Sequence, residues 1–394
     1  MLYKELKRAF CELYGDGPVR IFKSAGRINL IGEHIDFSGG FVFPAAIALR
    51  SACAVRERGD GVIRLASTSC KHRVEAHISK LNGHSKLPWG GYQLGMLYMM
   101  QQAGYDITGM DMLFDETVPH GGGLSASAAI ELATGIAAAT LSKENSGTAI
   151  DLVELAKLGQ KDENEYMGMN CGIMDQFASA MGKKGYAMLL DTAAVTCEYA
   201  PVDLSKDGLC LCIMNTNKPH SLVTSAYNDR RADCERALAQ LQAYKPLAHL
   251  CDLSPEEFEE AKSFIKDENA LKRATHAVYE NQRTKDAYAA LCAGDMSEFG
   301  NLLIEGHASM RDLYEATGPE LDAIVDAALA QPGVIGARMM GGGFGGCALA
   351  LLRQAALGNF KAGVSQRYKD RIGYAPSFYP ADIDDGAKEI TDFS

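Results

Sequence analysis

The chain has 394 residues, enough for two domains or a few closely packed lobes, and its 47% hydrophobic and 23% charged residues are those of an ordinary globular protein. Its 39 basic and 50 acidic side chains leave a formal charge of -11, which excludes a basic field for capturing nucleic acid, so an anionic ligand has to be held locally. The 11 cysteines lack C-x-x-C spacing, the opening MLYKELKRAFCELYG lacks an apolar secretory core, and no run approaches ~18 apolar residues, so disulfide, zinc-ribbon and membrane-spanning readings fall away. These features predict reduced thiols in a cytoplasmic protein with no nucleic-acid or membrane partner.

In chain order, the first ~20 residues read as an amphipathic helix, followed by short strands at Val19–Lys23 and Phe41–Ala48 flanking a polar, glycine-bearing turn. Alternation predicts strands at Gly61–Ser67 and Asp111–Glu116, and then comes the glycine cluster Gly121–Gly123. From Ala128 an alanine-rich helix begins, and Ala149–Tyr166 supplies a second helical pattern. Strands at Tyr186–Leu190 and Cys210–Met214 precede long helical patterns over Val223–Tyr244, Ser254–Leu291 and Met296–Leu313. A strand, glycine loop and strand (GVIGARMMGGGFGGCALALL) lead into one more helix, so the fold class is α+β, not repeating βαβ. Ser254 and Glu257 have capping-box spacing with Pro255 between them, which marks a plain helix start.

Pro119-His120-Gly121-Gly122-Gly123-Leu124-Ser125-Ala126-Ser127 joins a glycine loop directly to the alanine-rich helix. Glycines let backbone approach a phosphate, helix-start N–H groups and the helix dipole offset its charge, and Ser125 and Ser127 add donors or a magnesium ligand. Alone, the segment also reads as a surface turn with an N-cap serine. No G-x-x-x-x-G-K-[ST] occurs, and Gly341, Gly343 and Gly346 satisfy G-x-G-x-x-G only ahead of a strand-like CALALL, so neither a P-loop nor a dinucleotide fold is expected.

Arg27, Glu33, His34 and Asp36 crowd into one short segment, with chemistry suited to a polyhydroxylated ligand and a phosphoryl charge, although a surface salt-bridge cluster has the same composition. In Cys171-Gly172-Ile173-Met174-Asp175-Gln176 a lone carboxylate lies among apolar residues and needs a partner. Arg27 is the natural one, leaving Asp175 ionised to accept a hydroxyl proton, and Glu163 upstream is placed to reach a metal. The alternative is a structural aspartate capping a turn.

Taken together, GRINLIGEHIDFSGGFVFP, PHGGGLSASAA, CGIMDQ and GARMMGGGFGGCALAL resemble the motifs of the GHMP small-molecule kinases, in particular their galactose-phosphorylating branch. NTNKPHSLVTSAYNDRRADCE and EGHASMRDLYEAT resemble further segments of that branch, and the likeness spans nearly the whole chain. The resemblance implies an N-terminal ribosomal-protein-S5-like lobe over 1–195 and a C-terminal ferredoxin-like lobe over 196–394, with the active site between them. It also implies ATP and Mg²⁺ as cofactors and ATP-dependent phosphorylation of galactose at its anomeric hydroxyl, with no obligate protein partner. Asp175 would be the base and Arg27 the transition-state stabiliser. Glu33, His34, Ile35, Asp36, Gly172, Asp175 and Tyr227 would contact the sugar, Gly121, Gly122, Gly123, Leu124, Ser125, Ala126 and Ser127 the nucleotide, and Ser127 and Glu163 the metal. Ala25, Ile35, Phe37, Ser38 and Ala126 stand where the family usually carries Pro, Thr, Tyr, Asn and Ser. The substitutions beside Asp36 leave room for another sugar such as N-acetylgalactosamine. A sensor that binds galactose and ATP without transfer is the remaining alternative.

Overall fold

The computed structural model describes residues 1–87, 89–119, 121–147, 149–218 and 223–392. His120 and residues 219–222, parts of two of the motif segments, lie outside the described residues. In chain order the elements are α1 (Tyr3–Tyr14), β1 (Arg20–Asn29), β2 (Phe41–Val42), β3 (Pro44–Arg58), β4 (Val62–Ser67), β5 (Val74–His77), α2 (Gly91–Gln102), β6 (Gly109–Glu116), α3 (Ala126–Ser146), α4 (Leu152–Lys161), α5 (Met174–Met181), β7 (Tyr186–Asp191), β8 (Thr196–Pro201) and β9 (Leu209–Asn215). There follow α6 (Val223–Leu241), α7 (Pro255–Ala261), α8 (Glu268–Ala293), α9 (Met296–Ser309), α10 (Pro319–Leu329), β10 (Val334–Met340), β11 (Cys347–Arg353), α11 (Leu357–Ile372), β12 (Ser377–Pro380) and β13 (Lys388–Ile390).

The described strands form a six-stranded sheet ordered β13-β1-β3-β6-β4-β5, a four-stranded sheet ordered β10-β11-β9-β12 and a three-stranded sheet ordered β2-β7-β8. A division between residues 195 and 196 falls in the β7–β8 hairpin, and β13 returns to pair with β1, Ile390 opposite Ile21. The first sheet is covered by α3, an alanine-rich helix buried on nearly all sides, so small side chains here permit close approach. Among the described residues no helix is long and apolar enough to cross a membrane.

Several expectations change. The segment around Arg27 is not a turn: β1 continues to Asn29, with its polar Ser24, Arg27 and Asn29 buried. The run 41–48 splits at Phe43 into β2 and β3, which join different sheets, and β3 continues to Arg58. The pattern 254–291 breaks because Asp267 caps a new helix by accepting from the Ala270 N–H at 3.0 Å. Ser254 and Glu257 do form the reciprocal capping box at the start of α7.

Candidate active site

Arg27 follows a bulge in β1, where the register with β3 shifts between Ala25 and Arg27. Gly26 is needed at that bulge, since a Cβ there would stand 2.8 Å from the Leu124 carbonyl oxygen. The Arg27 N–H donates to the same carbonyl at 3.1 Å, docking β1 onto the glycine loop that opens α3. The Arg27 guanidinium, 3% exposed, donates from Nε and Nη2 to the two oxygens of Asp175 at 3.0 and 3.1 Å and from Nη1 to the Gly123 carbonyl. One side chain thereby ties the lone carboxylate in the first turn of α5 to the loop, in the paired geometry that makes guanidinium–carboxylate contacts strong.

That pair borders a cavity of about 490 Å³. At one end lie His34, Asp36, Gly172 and Tyr227, and at the other Gly121, Gly123 and Ser125 to Ser127. Gly121, Gly123 and Ser125 all have positive φ, and no side chain caps α3, which leaves its first N–H groups open to an incoming anion. Ser125 stands at the N-cap position, but its hydroxyl caps no N–H of the helix. Gly341 supports the loop from behind, where a Cβ would lie 2.9 Å from the Gly123 oxygen.

At the first of these ends, Asp36 accepts from the Phe37 N–H at 3.1 Å and the Met174 N–H at 3.4 Å. Burial, then the nearby Asp175 charge, raises its pKa from 3.8 to about 6. His34 has φ 58° and lies between the rings of Tyr227 and Tyr314, and burial followed by the neighbouring His276 lowers its pKa to about 3. The ring is therefore neutral near pH 7. Its Nε2 faces the Gly342 carbonyl at 3.2 Å and its buried Nδ1 has no protein partner. Glu33 also borders the cavity, with Oε1 accepting from the Gly341 N–H at 3.1 Å.

Glu163 is buried and its partner is the Ser127 hydroxyl. Burial and the Asp175 charge raise it to about 7, with the Ser127 hydrogen bond opposing the rise. A carboxylate and a hydroxyl at the glycine-loop end of one cavity, with no group of three acidic, histidine or cysteine ligands among the described residues, fit a hard cation that takes its other ligands from a bound anion and water.

Three of the expected contacts are placed differently. The Ile35 side chain is fully buried in the core, packed against Gly40, because the turn at His34, with φ 58°, sends His34 and Asp36 to the cavity and Ile35 away from it. Leu124 is likewise a core side chain, and neither it nor Gly122 borders the cavity. Phe37 and Ser38 stand behind the wall too, Phe37 edge-on to Tyr227. Sequence reasoning missed Trp89, Tyr92 and Gln93, which form the wall beside the loop. The signal was there: Trp89 is the chain's single tryptophan and precedes a glycine pair.

A glycine loop on a helix start, beside a carboxylate paired with arginine at the wall of one cavity, is a phosphoryl-transfer site, and the chain matches the models of the GHMP kinase N-terminal domain over 92–183 and C-terminal domain over 287–370. Residues 8–57 match the galactokinase galactose-binding signature. A galactokinase of Clostridium tetani is 48% identical over 99% of this chain and 98% of its own, and one of Ligilactobacillus salivarius is 44% identical over 98% and 99%. The crystal structure of Lactococcus lactis galactokinase complexed with galactose has a TM-score of 0.94 and 41% identity, covering 98% of this chain and 99% of that one. This chain belongs to the galactokinase family.

Proposed function

We propose that the protein transfers the γ-phosphoryl group of ATP to the anomeric hydroxyl of galactose, giving galactose 1-phosphate and ADP. The observation that carries this reading is the paired contact of Arg27 with Asp175 where the sugar end of the cavity meets the glycine loop. Glu33, His34, Asp36, Gly172 and Tyr227 hold the sugar so that its anomeric oxygen faces Asp175, which accepts the hydroxyl proton. That oxygen forms the new bond to γ-phosphorus as the bond to the ADP oxygen breaks. Arg27 and the N–H groups at the start of α3 offset charge spread over the transferring oxygens, so positioning and electrostatics supply most of the rate enhancement.

Ser127 and Glu163 would hold Mg²⁺ arriving with the nucleotide, where it neutralises phosphate charge. Trp89 and Tyr92 offer the adenine ring an aromatic wall, and the buried Trp89 Nε1 has no protein partner and is a donor to spare. One cavity holds every group the reaction requires, which speaks for catalysis over sensing and for a protein that needs no obligate partner. ATP as donor and 11 free thiols speak for a cytoplasmic setting.

Coupled ADP detection with galactose, N-acetylgalactosamine and glucose tests the reading. Galactose should support turnover well above the other two. Equal or faster turnover of N-acetylgalactosamine, or binding of galactose and ATP with no ADP formed, would overturn it.

A further inference from the structure

The sugar-binding segment 30–34 is gripped from the opposite half of the chain by groups that no catalytic role uses. Arg338, on β10, is fully buried. Its Nη1 donates to the Leu30 carbonyl at 3.0 Å and contacts the Glu33 carboxylate, and its Nη2 lies 3.5 Å from Glu280 Oε1. Glu280, on α8, accepts from the Gly32 N–H at 3.0 Å and pairs with Arg283. His276, one turn earlier, faces the Glu33 carbonyl at 3.0 Å. Two guanidinium groups, Arg338 and Arg283, and two buried carboxylates, Glu33 and Glu280, thus alternate in one network at the cavity wall, with Arg283 also 3.6 Å from the exposed Glu305. Buried charges of this kind persist only when each is paired.

We propose that Arg338 is a positioning residue for sugar recognition, holding the Glu33 carboxyl group in its orientation toward the cavity. The proposal rests on the reading that Glu33 contacts the sugar. Burial above all raises the Glu33 pKa and the Glu280 charge adds to the rise, while Arg338, the Gly341 N–H and Arg27 oppose it, so removal of Arg338 would raise it further. Without Arg338 the two carboxylates would face each other with Arg283, Arg27 and the neutral rings of His34 and His276 as neighbours, and one of them would take up a proton. A protonated or turned Glu33 no longer accepts charge-assisted hydrogen bonds from sugar hydroxyls, whereas the nucleotide end contains no part of this network.

The test is a double-mutant cycle on sugar KM using Arg338→Met, Glu33→Gln and their combination, with ATP KM and Tm recorded for each. We expect each single variant to raise galactose KM roughly tenfold or more with ATP KM within about twofold, and the double variant to be no worse than the worse single one. Arg338→Lys, which restores charge without the paired geometry, should recover part of the loss. Above the Asp36 pKa of about 6, galactose KM in Arg338→Met should still fall as pH rises, where the parent's stays level. Additive effects in the double variant, or equal rises in sugar and ATP KM, overturn the proposal. An unchanged KM in Glu33→Gln also overturns it, through the contact assigned to Glu33, while galactose turnover by the parent protein would leave the activity itself standing. Should Arg338→Met fail to fold, Arg338→Lys and Glu33→Gln complete the same cycle.

Discussion

The Asp36 carboxylate fills the space where a side chain on Gly172 would begin: a Cβ at Gly172 would stand 1.9 Å from Asp36 Oδ2. Residue 172 is therefore glycine because of what faces it, not because of its own backbone. Gly172→Ala should lower kcat/KM for galactose by roughly a hundredfold or more, since the carboxylate must leave its place against the Met174 N–H, a loss of the size seen when a reacting partner is displaced by about 1 Å. Steady-state kinetics with both substrates checks this, and an equal loss in ATP KM would point to a general collapse of the site.

Asp175→Asn keeps the shape of the carboxylate but cannot accept the hydroxyl proton. The expected result is a fall in kcat of ~10²–10⁴ with binding of a non-hydrolysable ATP analogue retained in calorimetry. Near-normal turnover would remove Asp175 as base and leave Arg27 with a merely structural partner.

Ser127→Ala and Glu163→Gln should each raise the Mg²⁺ concentration for half-maximal rate roughly tenfold or more while galactose KM stays level. Ser125→Ala is the comparison, because its hydroxyl is buried in the same loop without a protein partner. The same shift from that variant would assign the ligand to the wrong serine.

The raised pKa of Asp36 has a consequence for stability as well as for catalysis. Between the unfolded value near 3.8 and the folded value of about 6, the folded state holds the extra proton, so stability is present in full below the lower value and is lost as pH rises through the upper one. Asp36→Asn should therefore raise Tm at pH 8, by at most about 3 kcal/mol of stability in this partly open site, and the gain should vanish below pH ~4. Thermal melts of both proteins across that range decide it, and a gain that does not change with pH would assign the effect to packing.

The chemistry was more legible than the architecture. Glycine, serine and aspartate at fixed spacing carry their own local logic, so the loop at 121–127 and the Arg27–Asp175 pair could be read without knowing the fold. By contrast, α2 gave no period because it is buried on nearly every side, with Gly91, Gln93 and Met96 enclosed alike. The second half of β3 was hidden by Arg50, Arg56 and Arg58, whose charges are met largely by distant partners, Asp111 and Asp115, with Asp60 the local one for Arg58. Ile35 could not be told from a ligand contact by its neighbours, since its direction depends on the turn at His34. Nor did any local pattern announce that Arg338 lies against Glu33.

The return of β13 to the edge of β1 bears on the order in which the protein can be made. Residues 388–390 pair with 21–23, so during vectorial synthesis the strand that carries Arg27 keeps an open edge until almost every other element has emerged. An open edge is a template for pairing with another chain, and closing it last defers the most non-local contacts to the end of folding. The tail also holds α5 in place, its Ala387 N–H bonding the Ala180 carbonyl at 3.1 Å. A nascent chain stalled before residue 388 would carry the motif segments on a sheet whose β1 edge is still open to another chain.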